Sequence, residues 1–178
     1  GMTSLSLAGD PDYSSLCKSL TMVDIGIYPN QDGSDRIVEF MRSAQNGFSS
    51  LEEAADYISD FLPHREKPKD LSGLHKNLRK KDDRFYWHWD PKFLQGRQGQ
   101  DIKEYFGHLE EAANFLNIPT LLIRGGLSDV LTEKDKDYFL KVVSHAEFEE
   151  ISNAAHMVAG DKNDIFSKAV EKFLVKNN

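Results

Sequence analysis

The sequence has one cysteine, Cys17, so no intramolecular disulfide can form, and a reducing, cytoplasmic setting is expected. It has no apolar run of about 18 residues, which argues against a membrane span. Its first apolar stretch, Leu5-Ser-Leu-Ala8, has no basic flank and is too short for a signal peptide. Positive charge is in deficit: 22 Lys and Arg stand against 29 Asp and Glu, a net charge of −7, so general affinity for nucleic acid is not expected. Phosphate-binding glycine loops are absent, since Gly125-Gly126 stands alone, and His88-Trp-Asp90 is too sparse for a metal site. No cofactor and no metal are therefore expected, and neither repeats nor low-complexity segments occur. What remains is 178 residues with 39% hydrophobic side chains, enough for one domain with a proper core.

The most informative stretch runs from Ile118 to Leu131. Thr120 to Ile123 is a short apolar run with a β-branched residue at each end, entered through Pro119 and left through Gly125-Gly126. That composition suits a buried, central parallel strand too short to be a helix. Asp129 would follow just beyond its carboxyl end, where open α/β sheets place functional groups. Thr132 and Asp135 have the spacing of a capping box for the next helix. Phe148 to Ile151 reads as a second strand, followed by the small-residue loop Ser152-Asn-Ala-Ala-His156-Met157-Val-Ala-Gly160. A histidine and an aspartate in equivalent loops suit the base and orienting acid of a nucleophilic hydrolase.

The order strand, Gly-Gly-x-Ser-Asp129, helix, strand, Ala-His156-Met-Val, helix resembles the C-terminal part of the α/β-hydrolase fold, in the esterase, epoxide-hydrolase and non-metal haloperoxidase branches. Leu20-Thr-Met-Val-Asp24-Ile-Gly26 resembles the strand leading into that family's lid, and Gly1 to Gly9 the helix after its nucleophile elbow. The resemblance covers nearly the whole chain but only the second half of the family's domain. It implies an α/β fold: the C-terminal half of a parallel hydrolase sheet carrying an inserted, mainly helical lid. No Gly-x-Ser-x-Gly occurs. The chain is thus expected to start just after the elbow and to lack its nucleophile; Gly1 is either the elbow's last glycine or a residue before a start codon.

Three segments are expected: residues 1–28 as post-elbow helix and first strand, 29–100 as the lid, and 101–178 as the rest of the core. Tyr28 to Ser34 reads as loop, Ile37 to Ala44 as a helix ended by Gly47, and Ser50-Leu-Glu-Glu53 as a capping box for a helix stopped by Pro63. Leu71, Leu74 and Leu78 have the spacing of a third helix, and Gln95 to Gly99 reads as a return loop. From His64 to Lys103, eleven Lys and Arg face six Asp and Glu; a solvated face is the plain reading, attraction of an anionic substrate the sharper one. Arg84-Phe-Tyr-Trp-His-Trp-Asp90, if extended, puts Phe85, Trp87 and Trp89 on one face. Packing is their plain role; a place in the substrate pocket, with Met157, is the functional one. Ile102, Tyr105, Phe106, Leu109, Ala113 and Leu116 suggest one amphipathic helix, and Ile165, Phe166, Ala169, Val170, Phe173 and Leu174 another that packs on the sheet.

By resemblance, His156 is the general base and Asp129 the acid that holds its imidazole, with Asp24, at the end of the earlier strand, as a rival acid. Arg124 and Ser128 read as supporting residues, and Cys17 as an inert thiol. The expected family activity is hydrolysis of small ester-like substrates, weak or absent in this chain. The alternative is a non-catalytic binding or assembly module. In either case the strand at residues 20–25 would have a bare edge, and a homodimer paired through it is expected.

Overall fold

A computed structural model of the chain describes residues 1–95 and 102–177. Its helices are α1 (Met2–Ala8), α2 (Gln31–Ser43), α3 (Leu51–Phe61), α4 (Ile102–Phe115), α5 (Glu133–Val142), α6 (Val158–Asp161) and α7 (Asn163–Lys176). Its strands are β1 (Leu20–Val23), β2 (Leu78–Lys81), β3 (Arg84–Trp87), β4 (Thr120–Gly125) and β5 (Glu147–Ile151). Contacts divide the chain into a core unit, Gly1–Ser34 with Gln100–Asn178, and an inserted unit, Asp35–Gly99.

The core unit is built on a parallel sheet of order β1-β4-β5. Every residue of β4 is buried, as a strand covered on both faces requires. Its side chains alternate between two cores. Leu122 joins Leu20 and Met22 of β1, Leu5 and Ala8 of α1, Phe106, Leu109, Ala113 and Leu116 of α4, and Phe139 of α5. Leu121 and Ile123 point the other way, toward Ile151 and Phe173. The period-two geometry of a strand thus turns one apolar run into the floor of two layers. Helices α1 and α4 pack so closely that a Cβ on Gly9 would come within 2.0 Å of the Ala112 carbonyl oxygen. The expected side chains Ile102 and Tyr105 lie outside the described ones, as does most of the return loop at Gln95 to Gly99.

Several expectations need correction. Helix α2 begins at Gln31, inside the stretch read as loop. The Asn30 side chain accepts the Gly33 N–H at 3.1 Å, an N-terminal cap that starts the helix despite the glycine. On α7 the face toward the sheet is Phe166, Ala169, Val170 and Phe173, whereas Ile165 and Leu174 are exposed. Leu74 lies in a 3-10 turn, Ser72–Lys76, and Leu78 opens strand β2. A 3-10 turn repeats every three residues, which mimicked the spacing of a helix.

The inserted unit has its own small core of Ala44, Phe48, Ala54 and Leu78, flanked by Tyr57, Phe85 and Trp87. Strands β2 and β3 form an antiparallel hairpin with Leu78 opposite Trp87 and the two-residue turn Asp82-Asp83. Asp82 takes φ of 48°, the left-handed conformation that tight hairpins need. Phe48 and Phe85 exchange a pair of backbone hydrogen bonds, each 2.8 Å, so residue 48 extends the hairpin by one bridge. Among the described residues no helix is long and apolar enough to cross a membrane.

Candidate active site

Strand β1 ends at Val23, opposite Ile123 of β4. The next residue, Asp24, leaves the sheet with φ of 52° and is fully buried. A left-handed conformation is uncommon for a residue with a side chain, and Asp is among those that tolerate it. The turn places the carboxylate over the exit of the neighbouring strand, where Oδ1 accepts the Gly125 backbone N–H at 2.8 Å. Oδ2 accepts the Ser128 hydroxyl.

The second half of the site comes from the loop after β5. Asn153, at φ of 56°, reverses the chain there. The Ala155 N–H donates to the Asp161 side chain at 2.8 Å, tying the loop to the end of α6. Strand β4 and this loop are sewn together by hydrogen bonds from Gly126 N–H to the Ile151 carbonyl, 3.0 Å, and from Leu127 N–H to the Ala154 carbonyl, 2.8 Å. They approach so closely that a Cβ on Gly125 would lie 2.4 Å from the Ala155 carbonyl oxygen. Glycine at 125 is a steric requirement of the site.

The outcome is a hydrogen bond between His156 Nδ1 and Asp24 Oδ2, 2.9 Å long. The carboxylate side chain is 0% exposed and the imidazole 36%. An ionised carboxylate only accepts, so Nδ1 is the donor, and in the neutral ring Nε2 then presents a lone pair. A histidine held in this way by a buried carboxylate can serve as a general base.

The bond to Nδ1 expected from Asp129 is therefore made by Asp24, the carboxylate ranked second in sequence. Asp129 sits half-buried one residue past Ser128, its backbone carbonyl against Gly33, where a Cβ would come within 2.2 Å. Register decides the matter. Pairing Val23 with Ile123 sets the residue after β1 beside the last residues of β4, a neighbour relation invisible in either segment alone. Met157, next to the histidine, is 56% exposed and precedes α6. Trp87 is partly buried in the core of the inserted unit, and Trp89 lies two residues beyond β3, half-buried.

Arg124 is the nearly buried cation of this region. Its guanidinium is nearly buried, pairs with Glu150 and with Glu133 at 2.7 Å, and donates from Nε to the Leu131 carbonyl at 2.8 Å. Burial of a cation requires such compensation. The bond to Leu131 also clamps the far end of the Ser128–Leu131 loop to β4. Farther out, Tyr28 and Tyr138 both donate to the Glu110 carboxylate. Burial, with the Glu110 bond and charge, pushes the Tyr28 hydroxyl up to about 12. Among the described residues no group of three or more His, Cys, Asp or Glu is disposed to hold a metal ion.

No family model and no curated protein matches the chain. Solved structures do. An E-2-(acetamidomethylene)succinate hydrolase superposes with a TM-score of 0.78 at 15% identity, over 96% of this chain and 62% of that one. An esterase from Mycobacterium tuberculosis gives 0.73 at 24% identity, over 98% and 57%. A putative hydrolase from Rickettsia typhi gives 0.75 at 19%, over 98% and 59%. The fold is that of the C-terminal part of an α/β-hydrolase, and the chain spans about three fifths of the proteins it matches.

Proposed function

We propose that Asp24 and His156 are the acid and the general base of a hydrolase acting on esters or related small substrates, paired with a nucleophile that this sequence does not carry on a Gly-x-Ser-x-Gly turn. The observation that supports it is the 2.9 Å bond from the half-accessible imidazole to a fully buried carboxylate. In that role Nε2 takes the nucleophile's proton and returns it to the leaving group, while Asp24 stabilises the imidazolium formed in between. Asp129 is the weaker candidate for the acid, because Asp24 already engages Nδ1. The structurally similar succinate-derivative hydrolase and mycobacterial esterase agree with this chemical class. p-Nitrophenyl acetate tests it, because an imidazole Nε2 can attack this activated ester without the missing nucleophile: any turnover of the chain above the buffer rate should vanish in His156→Ala and fall in Asp24→Asn. Turnover that survives His156→Ala overturns the assignment.

A second reading, a non-catalytic module that assembles through β1, is favoured by one observation. Among the described residues β1 has a single hydrogen-bonded neighbour, β4, and an unpaired edge invites another strand. Sedimentation velocity should then show a dimer with slowly exchanging β1 amides. A monomer whose outward β1 amides exchange rapidly removes this reading.

A further inference from the structure

The geometry points to Ser128 as the positioning residue of the Asp24–His156 pair, an inference that rests on the reading of that pair as acid and base. The argument begins with the polarity of one hydroxyl. The backbone N–H groups of Val130 and Leu131 both donate to Ser128 Oγ, at 3.1 and 3.3 Å. A hydroxyl has two acceptor sites and one proton. With both acceptor sites engaged, its proton is committed to the remaining neighbour, Asp24 Oδ2. Ser128 is therefore a donor of fixed direction toward the same oxygen that faces His156 Nδ1.

Asp24 consequently receives three donors: Gly125 N–H on Oδ1, and Ser128 and His156 on Oδ2. The Gly125 bond fixes one oxygen. A single bond leaves the carboxylate free to pivot about it, and Ser128 is the contact that fixes the plane. Ser128 is itself held in place by its own loop, whose Leu131 carbonyl is gripped by Arg124. Asp24 is fully buried and Ser128 is 8% exposed, so bulk water cannot replace a lost hydroxyl. The serine thus transmits the rigid end of β4 to the acid, and through it to the imidazole tautomer.

The test reads that tautomer, by nitrogen-15 NMR of the histidine ring at alkaline pH, on the chain as it is and without need of turnover. Wild type should be predominantly Nδ1–H. Ser128→Ala and Ser128→Cys, the latter keeping the volume while supplying a poor donor, should lose that predominance and drift toward the ratio of a solvent-exposed histidine. Ser128→Thr should restore it. Asp24→Ala is the control for the underlying pair, because it removes the acceptor at Nδ1, and the ring should then drift toward the ratio of a solvent-exposed histidine. If Asp24→Ala loses the predominance of Nδ1–H while Ser128→Ala and Ser128→Cys leave it as in wild type, the role of Ser128 is overturned and the pair stands. If Asp24→Ala leaves the tautomer unchanged, the pair itself is overturned and this inference falls with it.

Discussion

The two units solve the same problem, burying a modest apolar set, by different means. The core unit uses a parallel sheet whose strands lie far apart in sequence, with Leu20 beside Thr120 and Leu121 beside Glu147. The inserted unit uses near neighbours: two helices and a hairpin, with Phe40 stacked on Tyr57 and Phe61 at 4.9 and 4.1 Å between ring centroids. Long-range pairing brings the carboxyl ends of β1, β4 and β5 to one rim, and the rim is where Asp24, Ser128 and His156 meet. Local pairing makes an aromatic cluster and leaves its charges, such as Arg79, Lys80 and Lys81, at the surface. Chemistry that needs a buried carboxylate has a home in the first unit.

The sharpest way to break that contrast is to remove a large side chain from each core. Phe139→Ala, at a fully buried site of the core unit, should cost about 4 kcal/mol in urea unfolding. Trp87→Ala, at a partly buried site of the inserted unit, should cost less. Equal losses would mean that the two cores are equally consolidated. Next comes Arg124→Met, which removes a nearly buried cation from partners that still reach water; about 2 kcal/mol is expected. A change within error would show that the Leu131 clamp is dispensable.

Smaller effects sharpen the comparison at the helix starts. Thr132 makes a complete capping box, accepting the Asp135 N–H while Asp135 accepts the Thr132 N–H. Ser50 makes half of one: it accepts the Glu53 N–H at 3.1 Å, but the Glu53 carboxylate turns to the Ser49 N–H at 2.6 Å. Thr132→Ala should cost about 1 kcal/mol and Ser50→Ala somewhat less, by thermal or denaturant unfolding. The last effect is confined to alkaline pH. The Tyr28 hydroxyl is raised from 10.0 to about 12 in the folded chain, so its contribution is present below pH 10 and is lost as pH rises through 12. Tyr28→Phe should flatten the stability curve between those limits, and an unchanged alkaline limb would contradict the Glu110 clip.

Elements with strong local signals were legible from the residues. Strands β1 and β4 announced themselves by short apolar or β-branched runs that end at Asp24 or Gly125, and the Thr132 cap by its spacing; β5, with three glutamates in five residues, carried a weaker signal. The hairpin was half legible: the aromatic run from Arg84 reads as extended, yet its partner strand, Leu78-Arg-Lys-Lys81, carries three charges and has no strand-like alternation. Exposure of one face accounts for that, because an outer strand need not look apolar. The face of α7 was misread by one residue at each end, since Ile165 and Leu174 suit a buried stripe by chemistry but not by angle. In the site, His156 was visible from its loop and Asp24 only as a rival to Asp129.

By itself, then, the sequence determined the strand and helix inventory of the core and the loop that presents the imidazole, because those features depend on residues close together in the chain. Only the tertiary structure decided which carboxylate takes Nδ1. That choice depends on which strands are neighbours, on their register, and on a left-handed turn at Asp24 that points a buried side chain across to β4. Distances between segments a hundred residues apart are set by packing, and no local pattern records them.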